Sequence, residues 1–242
     1  ILMAAGGYFT AALLSGRLHK YEIGPQEHEK AAASFKQGFT DMREGIDFLR
    51  KNIDTGRGII ATAVHRGGLT ALTLTTLLLE RNTFNDPSRP EDGLQGFGIA
   101  LTIAGIGVFL GAFLAPYGVA RFGRHRWIKF AMFASAFSPI FLAIWQTQIA
   151  LSVTAFLTAF FGQNIKVTND ALVQSKIDDY YRGRVFAVYD VIVNSAIVSG
   201  GLIAALLLPT SGVTAKVPLF VMSAYLLIAV VVLRTSKFKA TY

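Results

Sequence analysis

Apolar runs of about twenty residues, separated by short charged turns, constrain this chain more than any other feature. The clearest are Gly93–Pro116, Trp127–Trp145, Val185–Pro209 and Val217–Leu233. A helix of that length rises about 30 Å, the thickness of a bilayer's hydrocarbon core. A soluble domain of 242 residues would break such runs with charged faces. The hydrophobic fraction of 52% and mean hydropathy of +0.47 agree with this, but the clustering decides it. The expected fold is all-α, a polytopic bundle of transmembrane helices in the lipid bilayer.

The pattern divides the chain into three parts. Residues 1–18 read as the end of a helix that was already under way, turning basic at Arg17, His19 and Lys20. Residues 19–57 are polar and hold an amphipathic stretch over 34–51. There Phe35, Phe39, Met42, Ile46 and Leu49 recur at spacings of three and four. Ser34 and Gln37 have capping-box spacing at its start, and the stretch predicts a helix lying in the headgroup plane. Residues 58–242 carry six expected spans, at about 58–79, 93–116, 127–145, 149–173, 185–208 and 217–233. The second is glycine-rich. Gly107 and Gly111 form a GxxxG pair, with Gly98 and Gly105 close to the same face, which suits tight helix packing.

Charge gives the orientation. Consecutive spans alternate sides, so one side collects the loop to Arg57, the Arg121–Lys129 turn, the Lys176–Arg184 turn and the tail. That side holds eighteen Lys or Arg residues, against three on the other. The positive-inside rule puts the loop and the C-terminus in the cytoplasm of a plasma membrane. The formal charge of +8 therefore reflects topology and calls for no nucleic-acid partner.

Other chemistries lack their residues. There is no cysteine, so thiolate metal sites, disulfides and cysteine nucleophiles are excluded within this sequence. H-E-x-x-H and G-x-S-x-G are missing, and the four histidines show no ligand spacing. The expectation is no enzyme, no cofactor and no metal.

Charges inside spans are costly and must face one another, water or a bundle interior. His65 and Arg66 lie well within their span. Lys166 and Asp170 stack at i and i+4, as do Asp190 and Asn194. These pairs predict one polar cluster near the cytoplasmic mouth, either a gate or proton-coupling network or a static set of ion pairs. Arg66, placed deeper, is the stronger functional candidate.

The turn Gly118-Val119-Ala120-Arg121-Phe122-Gly123-Arg124-His125-Arg126 resembles the basic signature between the second and third helices of each major facilitator half. Its key residues would be Arg121, Gly123, Arg124 and Arg126. Ala120 stands where that signature has its acidic residue, so no conformational lock is assigned to this turn. The stretch from Lys166 through Gln174 and Asp178 to Asn194 is similar to the tenth-to-eleventh helix region of bacterial facilitator exporters, near the macrolide-efflux and siderophore-exporter branch. The resemblance implies the end of helix six, a central loop and helices seven to twelve. It implies alternating access about a central site, with a missing N-terminal six-helix half as partner. Substrate-cavity candidates are then His65, Arg66, Gln163, Asn164 and Asn194; Lys166, Asp170, Arg184 and Asp190 form the charge network. The expected activity is ion-coupled, with protons as the candidate ion, and exports a small hydrophobic drug-like or siderophore-like compound. The alternative is a stand-alone six-helix membrane protein that dimerises or serves as a structural module, with the Gly96–Gly111 face buried between copies.

Overall fold

The computed structural model describes residues 35–177 and 179–233, together with Phe9, Thr10 and Leu13. The expected partial span over 1–18 lies outside the described residues apart from those three, as do Ser34 of the capping box and the basic tail from 234. Two compact units divide the chain, Ile1–Thr40 and Asp41–Tyr242. In the first, Phe9, Thr10, Leu13 and residues 35–40 are helical. The second carries the helical bundle.

Among the described residues the elements are helices throughout: α1 (Phe35–Lys51), α2 (Ile53–Leu79), α3 (Pro90–Phe122), α4 (Arg124–Ile144), α5 (Gln148–Lys176), α6 (Asp179–Leu207) and α7 (Lys216–Leu227). The last turns of α2 and α7 widen into π-helix at Glu80–Phe84 and Ile228–Val232. Asn52 alone separates α1 from α2, so α2 starts five residues before the expected span, in sequence that reads as polar loop. Its side chain donates to the Phe48 carbonyl, 3.1 Å away, and so stays within the helical track.

Among the described residues, three helices are long and apolar enough to cross a membrane by length and composition: Pro90–Phe122, Arg124–Ile144 and Tyr180–Leu207. Helices α2 and α5, at 27 and 29 residues, are long enough but more polar. Much of that polarity is silenced locally. Thr62, Thr70, Thr73, Thr75 and Thr76 each return their hydroxyl to the carbonyl four residues earlier, at 2.8–3.0 Å. Helix α2 is the hub, packed by α5, α6 and α7, while α3 lies along α5 and α4 bridges α5 and α7. One core joins α2, α4, α5 and α7 around Leu72, Met132, Leu151 and Tyr225. A second, at the end bearing the basic turns, joins α1, α2, α5 and α6 around Leu49, Ile59, Val173 and Val185.

Glycines set the closest crossings. A Cβ added at Gly107 would collide with the Phe156 carbonyl oxygen, and one at Gly111 with that of Phe160, so this pair seats α3 on α5. Gly98 and Gly105, expected on the same face, instead meet nothing within 4 Å. They lie 9 and 2 residues before Gly107, and a two-residue offset turns a helix by about 200°, onto its far side. Gly96 is filled by the Glu80 carboxylate. At Gly200 a Cβ would overlap the Gly67 carbonyl oxygen, because α6 and α2 meet there backbone to backbone.

At the end opposite the basic turns, Asp86 accepts from the Ser88 backbone N–H at 2.9 Å and hydroxyl at 2.8 Å. These bonds hold its carboxyl below the usual range. Asn82 and Thr83 of the π turn donate to the Thr210 and Ser211 carbonyls, tying in the loop between α6 and α7.

Candidate functional site

Helix α2 has two contrasting sides. One is sealed. His65 is 2% exposed, with its ring stacked on Tyr225 at 4.8 Å between centroids and its Nε2 2.9 Å from the Ser135 hydroxyl. Tyr225 donates its hydroxyl back to the His65 carbonyl at 2.8 Å. Gly162 makes the room, since a Cβ there would overlap His65 Cε1. From Ser135 the polar track continues to Ser138, which bonds the Ser135 carbonyl at 2.8 Å and Thr158 at 2.6 Å, while Thr154 donates to the Ser138 carbonyl at 3.0 Å. Every one of these groups has a partner inside the protein, which is the requirement for polar atoms away from water. His65 thus clamps α2, α4, α5 and α7 from a buried position. Asn164 is likewise interior, accepting from the Trp127 indole N–H at 3.2 Å and donating to the Phe160 carbonyl at 2.9 Å.

The other side is open, and it carries the remaining cavity candidates. Arg66 is the fourteenth of the 27 residues of α2, its midpoint. Gln163 and Asn194 are each sixteenth of 29 in α5 and α6. Cross-helix contacts put them at one depth: His65 meets Gly162, and Gly67 meets Ala196 and Gly200. Arg66 and Gln163 are partly buried and Asn194 is exposed. Asn194 donates to the Asp190 carbonyl at 2.8 Å. No hydrogen bond or ion pair to the Arg66 guanidinium or the Gln163 amide occurs among the described residues. Thr70 uses only the Arg66 backbone carbonyl.

The expected single charge cluster resolves into two. Lys166 and Asp170 pair along α5, and Asp170 also accepts from the Tyr189 hydroxyl of α6 at 2.9 Å. Beneath them lies Asn169, fully buried, its amide oxygen filling the space that Gly58 leaves. Arg184 belongs elsewhere: it reaches Asp41 at 2.9 Å and Glu44 at 2.8 Å on α1, with its guanidinium 4.6 Å from the Tyr180 ring centroid. Gly45 lets α1 approach the Arg184 backbone to within 2.9 Å of where a Cβ would be. Asp190 is exposed and joins neither group. It lies one residue beyond Tyr189, about 100° around α6, and so misses the α5 face that Tyr189 meets.

In the basic turn, Gly123 links α3 to α4 with φ of +77°, a backbone state that favours glycine. Arg124 donates to the Ser175 hydroxyl at the end of α5, and Arg121 lies 5.9 Å from the Phe122 ring centroid. Arg126 stands with Lys129 beside a cavity between α4 and the end of α7. No group of three or more metal-ligating side chains occurs among the described residues.

Sequence reasoning passed over Tyr189, Tyr225, Ser135 and Glu80. The tyrosines were findable in principle, because a phenol in an apolar run needs a hydroxyl partner. Glu80 reads as the first residue of a polar loop, yet it is 3% exposed. It accepts from the Asn85 side chain at 3.0 Å, and the Gln148 amide lies 3.5 Å away. Only the π turn, invisible in the pattern, draws it inward.

Comparison with known proteins gives the same direction. Residues 59–240 match the Major Facilitator Superfamily. Over 214 residues the chain is 29% identical to uncharacterised MFS-type transporters of Mycobacterium bovis and Mycobacterium tuberculosis, covering 88% of this chain and 47% of each relative. It therefore spans about half the length of these curated relatives. No solved structure matches.

Proposed function

The chain belongs to the Major Facilitator Superfamily, and on that premise we propose that it supplies the C-terminal six-helix half of an alternating-access transporter. The described part is a helical, multi-pass membrane bundle. In this reading α2 to α7 are helices seven to twelve, the basic turns and the C-terminus face the cytoplasm, and a companion half closes the open side of α2. The single observation that carries it is the polar set Arg66, Gln163 and Asn194, all at mid-helix on three neighbouring helices. Polar groups at mid-depth are expensive in lipid and mark pathways through membranes.

The transported compound is small and largely apolar, moved outward and coupled to an ion, with protons the first candidate. Lys166, Asp170 and Tyr189 form the gate or coupling group nearer the cytoplasmic end. Arg184 fixes α1, at Asp41 and Glu44, to the start of α6. The outward side of α1 presents Arg43, Ile46 and Arg50, continued by Ile53, which fits a headgroup surface. A homodimer through Gly96–Gly111 has less to recommend it, since Gly96, Gly107 and Gly111 are already covered within the chain.

The test is two-sided accessibility. A cysteine placed at Val198 of α6, 71% exposed, in an otherwise cysteine-free background of the full-length protein should react with membrane-impermeant reagents from either face of a vesicle. Its labelling rate should shift with an imposed proton gradient. Labelling from one face alone under all conditions rejects alternating access.

A further inference from the structure

We propose that the open side of α2 is an anion-binding subsite, and that the compound handled there is an amphipathic organic carboxylate whose head group pairs with Arg66. This rests on the transporter reading above and deepens it by naming the substrate class.

A guanidinium carries its charge on a planar fork of donors that matches a two-oxygen acceptor. Arg66 sits at the midpoint of a 27-residue helix, partly buried, with no ion pair or hydrogen bond to its head among the described residues. Three groups around α2 are matched within the chain: His65 with Ser135 and Tyr225, Lys166 with Asp170, Arg184 with Asp41 and Glu44. A fold that satisfies those groups and leaves Arg66 open keeps a cation ready for something that arrives.

The neighbours describe what arrives. Gln163, at the same depth and likewise without a side-chain hydrogen bond among the described residues, offers amide N–H donors that complement a guanidinium fork on a planar, two-oxygen acceptor. From Arg66 the same stripe of α2 runs through Leu69, Thr73 and Thr76, at steps of three, seven and ten residues. These three line a cleft with Phe97 and Leu101 of α3. The hydroxyls of Thr73 and Thr76 are turned back onto their own helix, so the cleft wall is in effect apolar. The cleft itself holds only about 30 Å³, so the apolar body lies along its mouth rather than within it, with the charged head at Arg66.

Full-length protein in neutral detergent, titrated with 1-naphthoate and with its uncharged counterpart 1-naphthamide, tests this by ligand-induced thermal stabilisation. Wild type should bind the carboxylate at least tenfold more tightly than the amide. Arg66→Gln should erase that preference, Arg66→Lys should keep part of it because the charge remains without the fork, and Gln163→Ala should reduce it less. Equal binding of the two probes by wild type overturns the proposal, as does a preference that survives in Arg66→Gln. A carboxylate of the companion half as Arg66's true partner would show as no preference in wild type together with earlier melting of Arg66→Gln, and that also overturns it. The Val198 accessibility experiment separates the two claims. Alternating labelling with no charge preference removes only the anion subsite, whereas one-sided labelling removes the transporter.

Discussion

His65 and Arg66 are adjacent in sequence and opposite in surroundings. His65 is enclosed by α4, α5 and α7, its ring and its backbone carbonyl both engaged. Arg66, about 100° further round the helix, is partly buried, with no partner for its head among the described residues. The His65, Ser135, Ser138, Thr158 and Tyr225 group follows the rule for protein in lipid, each hydroxyl finding its partner from within. The open side breaks that rule at mid-depth, where a breach costs most. A stabilising contact and a functional one can therefore be told apart by what each leaves unfinished.

The contrast breaks most severely at Gly162. Its missing side chain is the seat of the His65 ring, which occupies the space a Cβ would need. Gly162→Leu should force α5 away from α2 and abolish recovery of monodisperse protein by size-exclusion chromatography. A well-behaved variant would mean that the His65 side is not tightly sealed. Next comes His65→Ala, which removes a fully packed ring and strands the Ser135 hydroxyl. By analogy with aromatic truncations the loss is about 3 kcal/mol, read as a lower melting temperature in detergent. Transport by the surviving folded fraction should persist, because the His65 ring is packed inside the bundle. Loss of transport at unchanged stability would move His65 to the functional side.

This division was only partly legible in the sequence. Apolar run lengths and charged turns place the helices, because lipid thickness acts on composition alone. The Gly107–Gly111 pair could be read for a similar reason, as small residues four apart share a face. Gly98 and Gly105 could not be sorted from them without knowing which side of α3 meets α5. The candidate residues were found by asking which polar groups stand in apolar runs, and that question returns His65 and Arg66 alike. What separates them is the position of Ser135, 70 residues on, and Tyr225, 160 residues on. No local pattern carries that. Arg184 illustrates the same limit: its acidic partners, Asp41 and Glu44, lie far back in the chain, on an amphipathic helix that reads as a solvated surface.

Smaller effects sharpen the contrast. Tyr225→Phe keeps the ring that stacks on His65 and deletes only the hydroxyl donated to the His65 carbonyl. The cost should be about 1 kcal/mol in the soluble-protein range, and nearer ~0.6 kcal/mol by membrane double-mutant cycles. A melting temperature indistinguishable from wild type would show that stacking alone carries the clamp.

The smallest stability effect is expected at Arg66, and its sign matters more than its size. Deleting one member of a buried ion pair is strongly destabilising because the other charge is left behind. Arg66 leaves no such orphan among the described residues. Arg66→Gln instead removes a cation held partly out of water with no counter-charge among the described residues, and retains a side chain that can still pack its stem against α2's neighbours. The variant should therefore melt at the wild-type temperature or slightly above it, while transport of an anionic substrate is lost. That combination is how a residue kept for function at the expense of stability announces itself. If Arg66→Gln melts several degrees earlier than wild type, the guanidinium is a structural group whose partner comes from the companion half, and the open side of α2 is an interface between halves.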